Sequence, residues 1–276
     1  MADVEPALAG ASQARPSCPA CDSRQPEARS AIAFCSGCGH RWLVSTAEDH
    51  RAREEEIFTE DYSGFSEDER FVEFVRRFTR DELARRLRPG AKILDVGCGA
   101  GHFMQVAKEA GYSVEGIDVS PASAQICRQK GLDARSGDFL TERFGGKFDL
   151  ITMWDVVEHL RDPAAFLERA RGLLAEGGML FSKIPIFGEL SVRLSDKVPR
   201  AAGILLGAPD HVQYFDRESL ERLIRRVRFE PEWLSPASIR SPTTGGSLKR
   251  RVARRVQTVI KAASGDGNAF VMATPA

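Results

Sequence analysis

Apolar residues fall at helical spacing early in this chain: Phe71, Phe74, Val75 and Phe78, then Leu83 and Leu87, trace one face of a helix that ends at Pro89-Gly90. Beyond it, short apolar runs alternate with amphipathic stretches. The runs predict strands over Lys92–Val96, Ser113–Asp118, Asp133–Ser136, Phe148–Met153 and Met179–Ile184. The amphipathic stretches predict helices over His102–Ala110, Pro121–Lys130, Pro163–Leu174 and Arg217–Arg226. Asp162 before Pro163 reads as a cap followed by a first-turn proline, and Asp216 can cap the last helix. Such alternation predicts an α/β fold. Its parallel sheet would be covered on both faces, with the ligand crevice at the carboxyl ends of the strands.

The flanking segments lack this pattern. Residues 1–16 are small and polar with nothing periodic to bury and are expected to be mobile; 17–47 form a cysteine-bearing module, 48–68 an acidic irregular linker, and 69–276 the main domain. Lysine plus arginine, 39, balance aspartate plus glutamate, 39, so no overall field argues for nucleic acid or membrane as the main partner. The opening MADVEPALAG has neither a basic start nor a long apolar run, and the apolar stretch Ala201 to Leu206 is too short to span a bilayer. The expectation is a cytoplasmic protein. Four of the 6 cysteines cluster near the start, which suits metal binding in a reducing compartment better than a disulfide framework.

Cys18, Cys21, Cys35 and Cys38 form two C-x2-C pairs, each able to present two thiolates from one tight turn. They predict a zinc ribbon with a closed, structural, tetrahedral site. Asp22 stands where glycine is common in such a knuckle, His40 reads as a bystander, and Cys98 and Cys127 read as packing residues.

The first predicted strand of the main domain ends in ILDVGCGAGHF. Gly97, Gly99 and Gly101, with Cys98 between the first two, let the backbone turn tightly and let a ligand approach it. The G-x-G-x-x-G dinucleotide pattern fails, because its third glycine would fall on His102. Asp95 would repel a pyrophosphate but attract a ligand with an ammonium and a sulfonium, namely S-adenosylmethionine (SAM). Asp118 in VEGIDVS sits where an acid can accept from both ribose hydroxyls, with Val119 beside it. In SGDF, Asp138 can accept from the adenine amino group, or simply form a turn, and Phe139 can pack near the ring. Trp154 completes the candidate cofactor residues.

DVGCGAG, the acid of GIDVS, GDF, FDLITMWDVVEHLRDP and LLAEGGMLFSKIP together resemble the successive motifs of class I SAM-dependent methyltransferases, over roughly residues 65–240. The resemblance is strongest to ubiquinone-pathway O-methyltransferases and to small-molecule or sugar methyltransferases; several members of this wider group carry an N-terminal zinc ribbon. It implies a Rossmann-like sheet of seven strands whose last runs antiparallel, with NAFVMATPA as an edge strand. It also implies SAM as cofactor and a small molecule as acceptor.

Methyl transfer from a sulfonium is an in-line displacement, so the protein mainly holds the acceptor behind the methyl group. A hydroxyl acceptor must also lose its proton to a base, or have its pKa lowered by a metal. In WDVVEHLRDP, a helical turn over 155–159 would bring Asp155, Glu158 and His159 onto one face. Three roles stay open: a hydrogen-bonded bend, a general base at His159 or His211, and a divalent-metal site. The ubiquinone-pathway enzymes, and small-RNA 3′-terminal 2′-O-methyltransferases, resemble this segment with Glu-x-x-Glu-His, the latter adding a later histidine that His211 would match. Asp155 departs from that pattern: its side chain is shorter by about 1.5 Å, which argues against metal.

Residues 185–210 form a long connection that can cover the acceptor or hold a packing helix, and HVQYF places His211 and Tyr214 near it. A stripe of Leu248, Val252, Val256 and Val259 flanked by Lys249, Arg250, Arg251, Arg254 and Arg255 reads as a solvated basic helix, or one docking on RNA or membrane. The sequence thus points to O-methylation of a small molecule, with the ribbon selecting substrate or docking a partner. RNA 2′-O-methylation and a non-enzymatic binding role are the rivals.

Overall fold

The structure, a computed structural model, describes residues 17–24, 26–28, 32–44, 69–197, 206, 210–234 and 267–276. The expected mobile start, the 48–68 linker, the basic stripe from Leu248 to Val259 and parts of the 185–210 connection lie outside the described residues.

The two cysteine knuckles are built alike. Asp22 N–H donates to Cys18 O at 2.9 Å and Gly39 N–H to Cys35 O at 2.8 Å, and both turning residues take left-handed backbone, φ 62° and 76°. Aspartate tolerates that region better than most residues, which is why it can stand in for glycine here. Three short strands follow: β1 (Pro26–Ala28), β2 (Ile32–Cys35) and β3 (Arg41–Leu43), paired antiparallel in order.

The main domain opens with α1 (Glu69–Phe78), which runs on through a π turn at Thr79–Leu83 and a last turn at Ala84–Arg86. Then come β4 (Lys92–Val96), α2 (His102–Glu109), β5 (Ser113–Asp118), α3 (Pro121–Gln129), β6 (Asp133–Ser136), β7 (Phe148–Trp154), a 3-10 turn at Val157–His159, and α4 (Pro163–Leu173). The chain ends with β8 (Leu174–Ile186), α5 (Glu189–Lys197), β9 (Gln213–Tyr214), α6 (Arg217–Arg226), β10 (Phe229–Trp233) and β11 (Gly267–Pro275). Asp162 caps α4 by accepting from Ala165 N–H, and Asp216 with Ser219 closes a capping box on α6.

The sheet has 7 strands in the order β10-β11-β8-β7-β4-β5-β6. β8, β7, β4, β5 and β6 are parallel, whereas β11 runs antiparallel to both its neighbours. The expected edge position of β11 is therefore corrected: it is interior, and β10, which sequence periodicity missed, is the edge. Phe229–Trp233 reads FEPEW, with only its two ends apolar, because an edge strand is half solvated. β8 also begins earlier than predicted. Leu174 pairs with Phe148 and Met179 with Leu150, and AEGG, with Gly177 at φ 72°, forms the bulge between them.

Successive strand residues point to opposite faces and into separate cores. Ile93 and Leu150 pack under α1 and α2, while Leu94 and Ile151 pack with α4 and α6. The second core also takes in Cys18, Cys35, Cys38 and Trp42 of the ribbon, so the small module is continuous with the domain.

Candidate functional site

The glycine turn leaves β4 beside β7, where the chain reverses its order of filling the sheet, the position at which such sheets bind ligands. Gly97, Gly99 and Gly101 have φ of 70°, 51° and 78°. Gly101 starts α2, and a Cβ there would lie 2.6 Å from Leu132 Cδ1 and 2.8 Å from Cys127 Sγ. Both neighbours are buried and cannot withdraw. Gly101→Ala should therefore cost about 1–3 kcal/mol of stability and distort the turn; thermal melting and SAM calorimetry would both register it.

Two acids flank the turn. Asp118 accepts from Gly99 N–H at 2.8 Å and from Ser120 N–H at 2.9 Å, which ties the loop to the end of β5; burial raises its pKa against those two bonds. Its oxygens retain lone pairs for further donors. Asp95 is 2% exposed and accepts from Thr152 Oγ1 at 2.7 Å. Burial pushes its pKa up to about 7 against the Thr152 bond, with repulsion from Asp118 adding to the rise. A carboxyl held this far from water is suited to a ligand that brings its own positive charge. Cys98 and Cys127 are buried behind the loop, Cys127 Sγ lying 3.2 Å from Gly99 O, as packing residues would.

Other sequence candidates land differently. Asp138 is exposed and accepts from Leu140 N–H at 2.9 Å, the turn-forming alternative. Phe139 is 2% exposed and packs on Phe166 at 5.5 Å, inside the core rather than at the crevice. Val119 and Leu140, at the carboxyl ends of β5 and β6, are the exposed apolar side chains there. Leu140 was missed because the neighbouring aromatic was the stronger signal. Trp154 stands in a ring cluster with Phe71, Phe74, Phe78, Phe103 and Phe181, and so serves chiefly as packing.

The expected helical turn over 155–159 does not form, and this too is a correction. Asp155 has left-handed backbone, φ 52°, which ends β7 and turns its carboxylate toward Lys183 of β8, with which it forms an ion pair. Lys183 is a residue that sequence reasoning missed; it is the charged position in an otherwise uncharged strand end. After Asp155, a 3-10 turn carries Glu158 inward and His159 toward His211. Ligand atoms of Glu158, His159 and His211 lie within 4.8 Å of one another.

Glu158 is fully buried, and neither carboxylate oxygen has a hydrogen-bond partner among the described residues. Burial, then repulsion from Asp155, raises its pKa well above the carboxylate range. The two imidazoles are fixed by carbonyls: His159 Nδ1 is 2.8 Å from Asp210 O, and His211 Nδ1 is 2.9 Å from Leu206 O. A carbonyl only accepts, so each Nδ1 carries a proton, and in His211, which burial keeps neutral near pH 7, Nε2 keeps a lone pair. Burial, then the neighbouring His159, lowers the His211 pKa to about 4. Tyr214 is buried with His211's neighbours rather than lining an open cleft.

In the ribbon, the Sγ atoms of Cys18 and Cys38, and of Cys21 and Cys35, are each 3.6 Å apart, and all four lie within 4.8 Å. A tetrahedral zinc with Zn–S of about 2.3 Å requires sulfurs roughly 3.8 Å apart, so the donor set fits. The adjacent Cys18 and then burial push the Cys38 thiol's pKa up, a penalty that a bound cation reverses.

A seven-stranded sheet with one antiparallel strand beside its parallel body, a glycine turn and two flanking acids define a class I SAM-dependent methyltransferase fold. A family model described as a methyltransferase domain matches residues 69–232, and the chain belongs to that family. Among its relatives, the ubiquinone biosynthesis O-methyltransferase of Xanthomonas campestris pv. campestris (strain B100) is 34% identical over 106 residues, covering 36% of this chain and 44% of that protein. The enzyme of the same name from Chelativorans sp. (strain BNC1) is 28% identical over 179 residues, 61% of this chain and 66% of that one. The chain thus spans between 44% and 66% of the length of these relatives. Two solved structures share the fold at a TM-score of 0.55. Haemonchus contortus phosphoethanolamine N-methyltransferase 2 with SAM is 17% identical, covering 74% of this chain and 52% of that one. The Haloferax volcanii complex of the Trm112 methyltransferase activator and a putative methyltransferase is 16% identical, covering 78% and 97%. Among the described residues no helix is long and apolar enough to cross a membrane.

Proposed function

We propose that the chain is a SAM-dependent methyltransferase acting on a hydroxyl of a small-molecule acceptor. The observation that carries this reading is the Glu158 carboxylate, buried without a hydrogen-bond partner among the described residues and grouped with the imidazoles of His159 and His211 at the carboxyl end of β7. Asp95 takes the positive charge of SAM, Asp118 the ribose hydroxyls, and Val119 and Leu140 give the adenine an apolar seat. His159 and His211 cannot rotate without breaking their carbonyl bonds, so they hold the acceptor side rigid.

Among the roles left open by the sequence, a divalent cation at Glu158, His159 and His211 is favoured. A cation resolves the cost of burying Glu158, and neutral imidazoles with tied Nδ1–H are the form that ligates. Such an ion would lower the pKa of the acceptor hydroxyl. A His211 with a pKa near 4 is a weak base on its own. Asp155, whose short side chain argued against metal, belongs to the Lys183 pair instead. We assign a structural zinc to Cys18, Cys21, Cys35 and Cys38, and place the protein in the cytoplasm, where thiols stay reduced.

Full-length protein given tritiated-methyl SAM and a set of hydroxylated aromatics, with Mg²⁺, Mn²⁺ or chelator, tests the reaction. Label on a hydroxyl, lost with chelator, is expected; label on amines alone, or on RNA, would overturn the acceptor class. Native mass spectrometry should find zinc bound, and Cys35→Ser should lose it and melt lower by several degrees, about 2–5 kcal/mol for a module this small.

A further inference from the structure

The ribbon is built into the wall of the acceptor site. β9, which begins at Gln213 with Val212 between it and His211, is the fourth strand of the ribbon sheet, with Trp42 opposite Gln213 and Arg41 opposite Tyr214. Leu43 N–H donates to Val212 O at 2.9 Å, and Val212 N–H donates to Glu158 O at 2.9 Å. Two backbone bonds thus run from the ribbon, past the neighbour of His211, to the peptide of the buried acid.

A side-chain path runs beside them. Gln213 is 2% exposed; its Nε2 donates to Leu160 O at 2.8 Å, and its Oε1 is 2.8 Å from His40 Nε2. Because the amide nitrogen is committed to a carbonyl, its oxygen faces His40, which must donate from Nε2. His40 is fully buried, two residues past Cys38, and stacks on Phe215 at 4.5 Å. It lies outside the four-cysteine cluster and joins the ribbon to Gln213. On the other side, Leu43 and Tyr214 share an apolar cluster with Phe187, Val192 and Leu206, whose carbonyl holds His211 Nδ1.

We propose that His40 and Gln213 are positioning residues of the acceptor site, through which the zinc-loaded ribbon fixes the orientation of His159 and His211. The proposal rests on reading the four cysteines as a zinc site and the Glu158 cluster as the acceptor side. A ribbon of three short strands has little core of its own, so metal binding folds it, and the strand it holds carries the acceptor-side segment. The glycine turn hangs from β4, β5 and α2 and has no part in this path.

Full-length, zinc-loaded protein labelled with 15N-histidine reports the ring tautomers directly. The natural chain should show Nδ1–H at His159 and His211. Gln213→Met and His40→Phe keep volume but lose the bonds, and should shift both rings to mixed tautomers, with affinity for S-adenosylhomocysteine kept within about twofold. His40→Gln, which restores an Nε2 donor, should return the natural pattern. Unchanged tautomers in both zinc-bound loss variants would overturn the proposal while leaving the zinc reading standing. Absence of zinc from the natural protein would overturn both. Loss of S-adenosylhomocysteine binding in both variants would also overturn it, since the effect would then be general unfolding.

Discussion

Glu158→Gln is expected to bind SAM as the natural chain does, lose methyl transfer by roughly a hundredfold or more, and melt at a higher temperature. The opposing signs come from one cause. The carboxylate is fully buried without a hydrogen-bond partner among the described residues, so the ionised form is held in the fold at a cost of about 1–3 kcal/mol that an amide largely escapes. Its folded pKa lies above the unfolded one, so the stability it contributes is present in acid and lost as pH rises through the raised value. The difference in melting temperature between Glu158→Gln and the natural chain should therefore widen from pH 5 upward, and Mn²⁺ should close it by stabilising only the chain that keeps the acid. Raw melting curves mix this with His40 and His211, whose pKa values are lowered by burial to about 4 and which withdraw stability as pH falls from about 6.5. The variant difference isolates the acid. Equal melting temperatures with activity intact would mean that Glu158 has no part in the chemistry.

The parallel sheet was legible because its strands are buried on both faces and its helices carry caps: the predicted Arg217–Arg226 is the observed α6, and Asp162 and Asp216 cap as read. The glycine turn was legible because positive φ leaves glycine little substitute. What escaped was set by tertiary contacts. Helical spacing put Asp155 beside Glu158, yet Asp155 takes left-handed backbone and pairs with Lys183, distant in sequence. His40 looked idle because its partner, Gln213, lies 173 positions away. The dipeptide that forms β9 is too short for any periodicity, so its pairing with the ribbon could be seen only in the folded chain. Fold came from local pattern; the cluster of Glu158, His159 and His211 is made by long-range pairing.

Affinity for SAM should fall about tenfold per unit as pH drops below about 7, and Asp95→Asn should remove that dependence while binding SAM on the order of a hundredfold more weakly. Asp95 is buried, and burial pushes its pKa in the free protein up to about 7, so near neutrality part of the population carries a proton there. A cationic ligand favours the carboxylate, so binding expels the proton, and affinity climbs with pH until the acid is ionised beforehand. Without ligand the same shift works against the fold: stability from the protonated acid is present below about 4 and lost as pH rises through 7. SAM should consequently raise the melting temperature more at pH 8 than at pH 6, beyond what saturation alone supplies. Calorimetry in two buffers of different ionisation enthalpy would count the expelled proton. S-adenosylhomocysteine, which keeps the ammonium but lacks the sulfonium, then separates the two charges: an equal pH slope assigns Asp95 to the ammonium, and a flat one assigns it to the sulfonium. A flat profile for SAM itself, with Asp95→Asn binding normally, would remove Asp95 from the cofactor site.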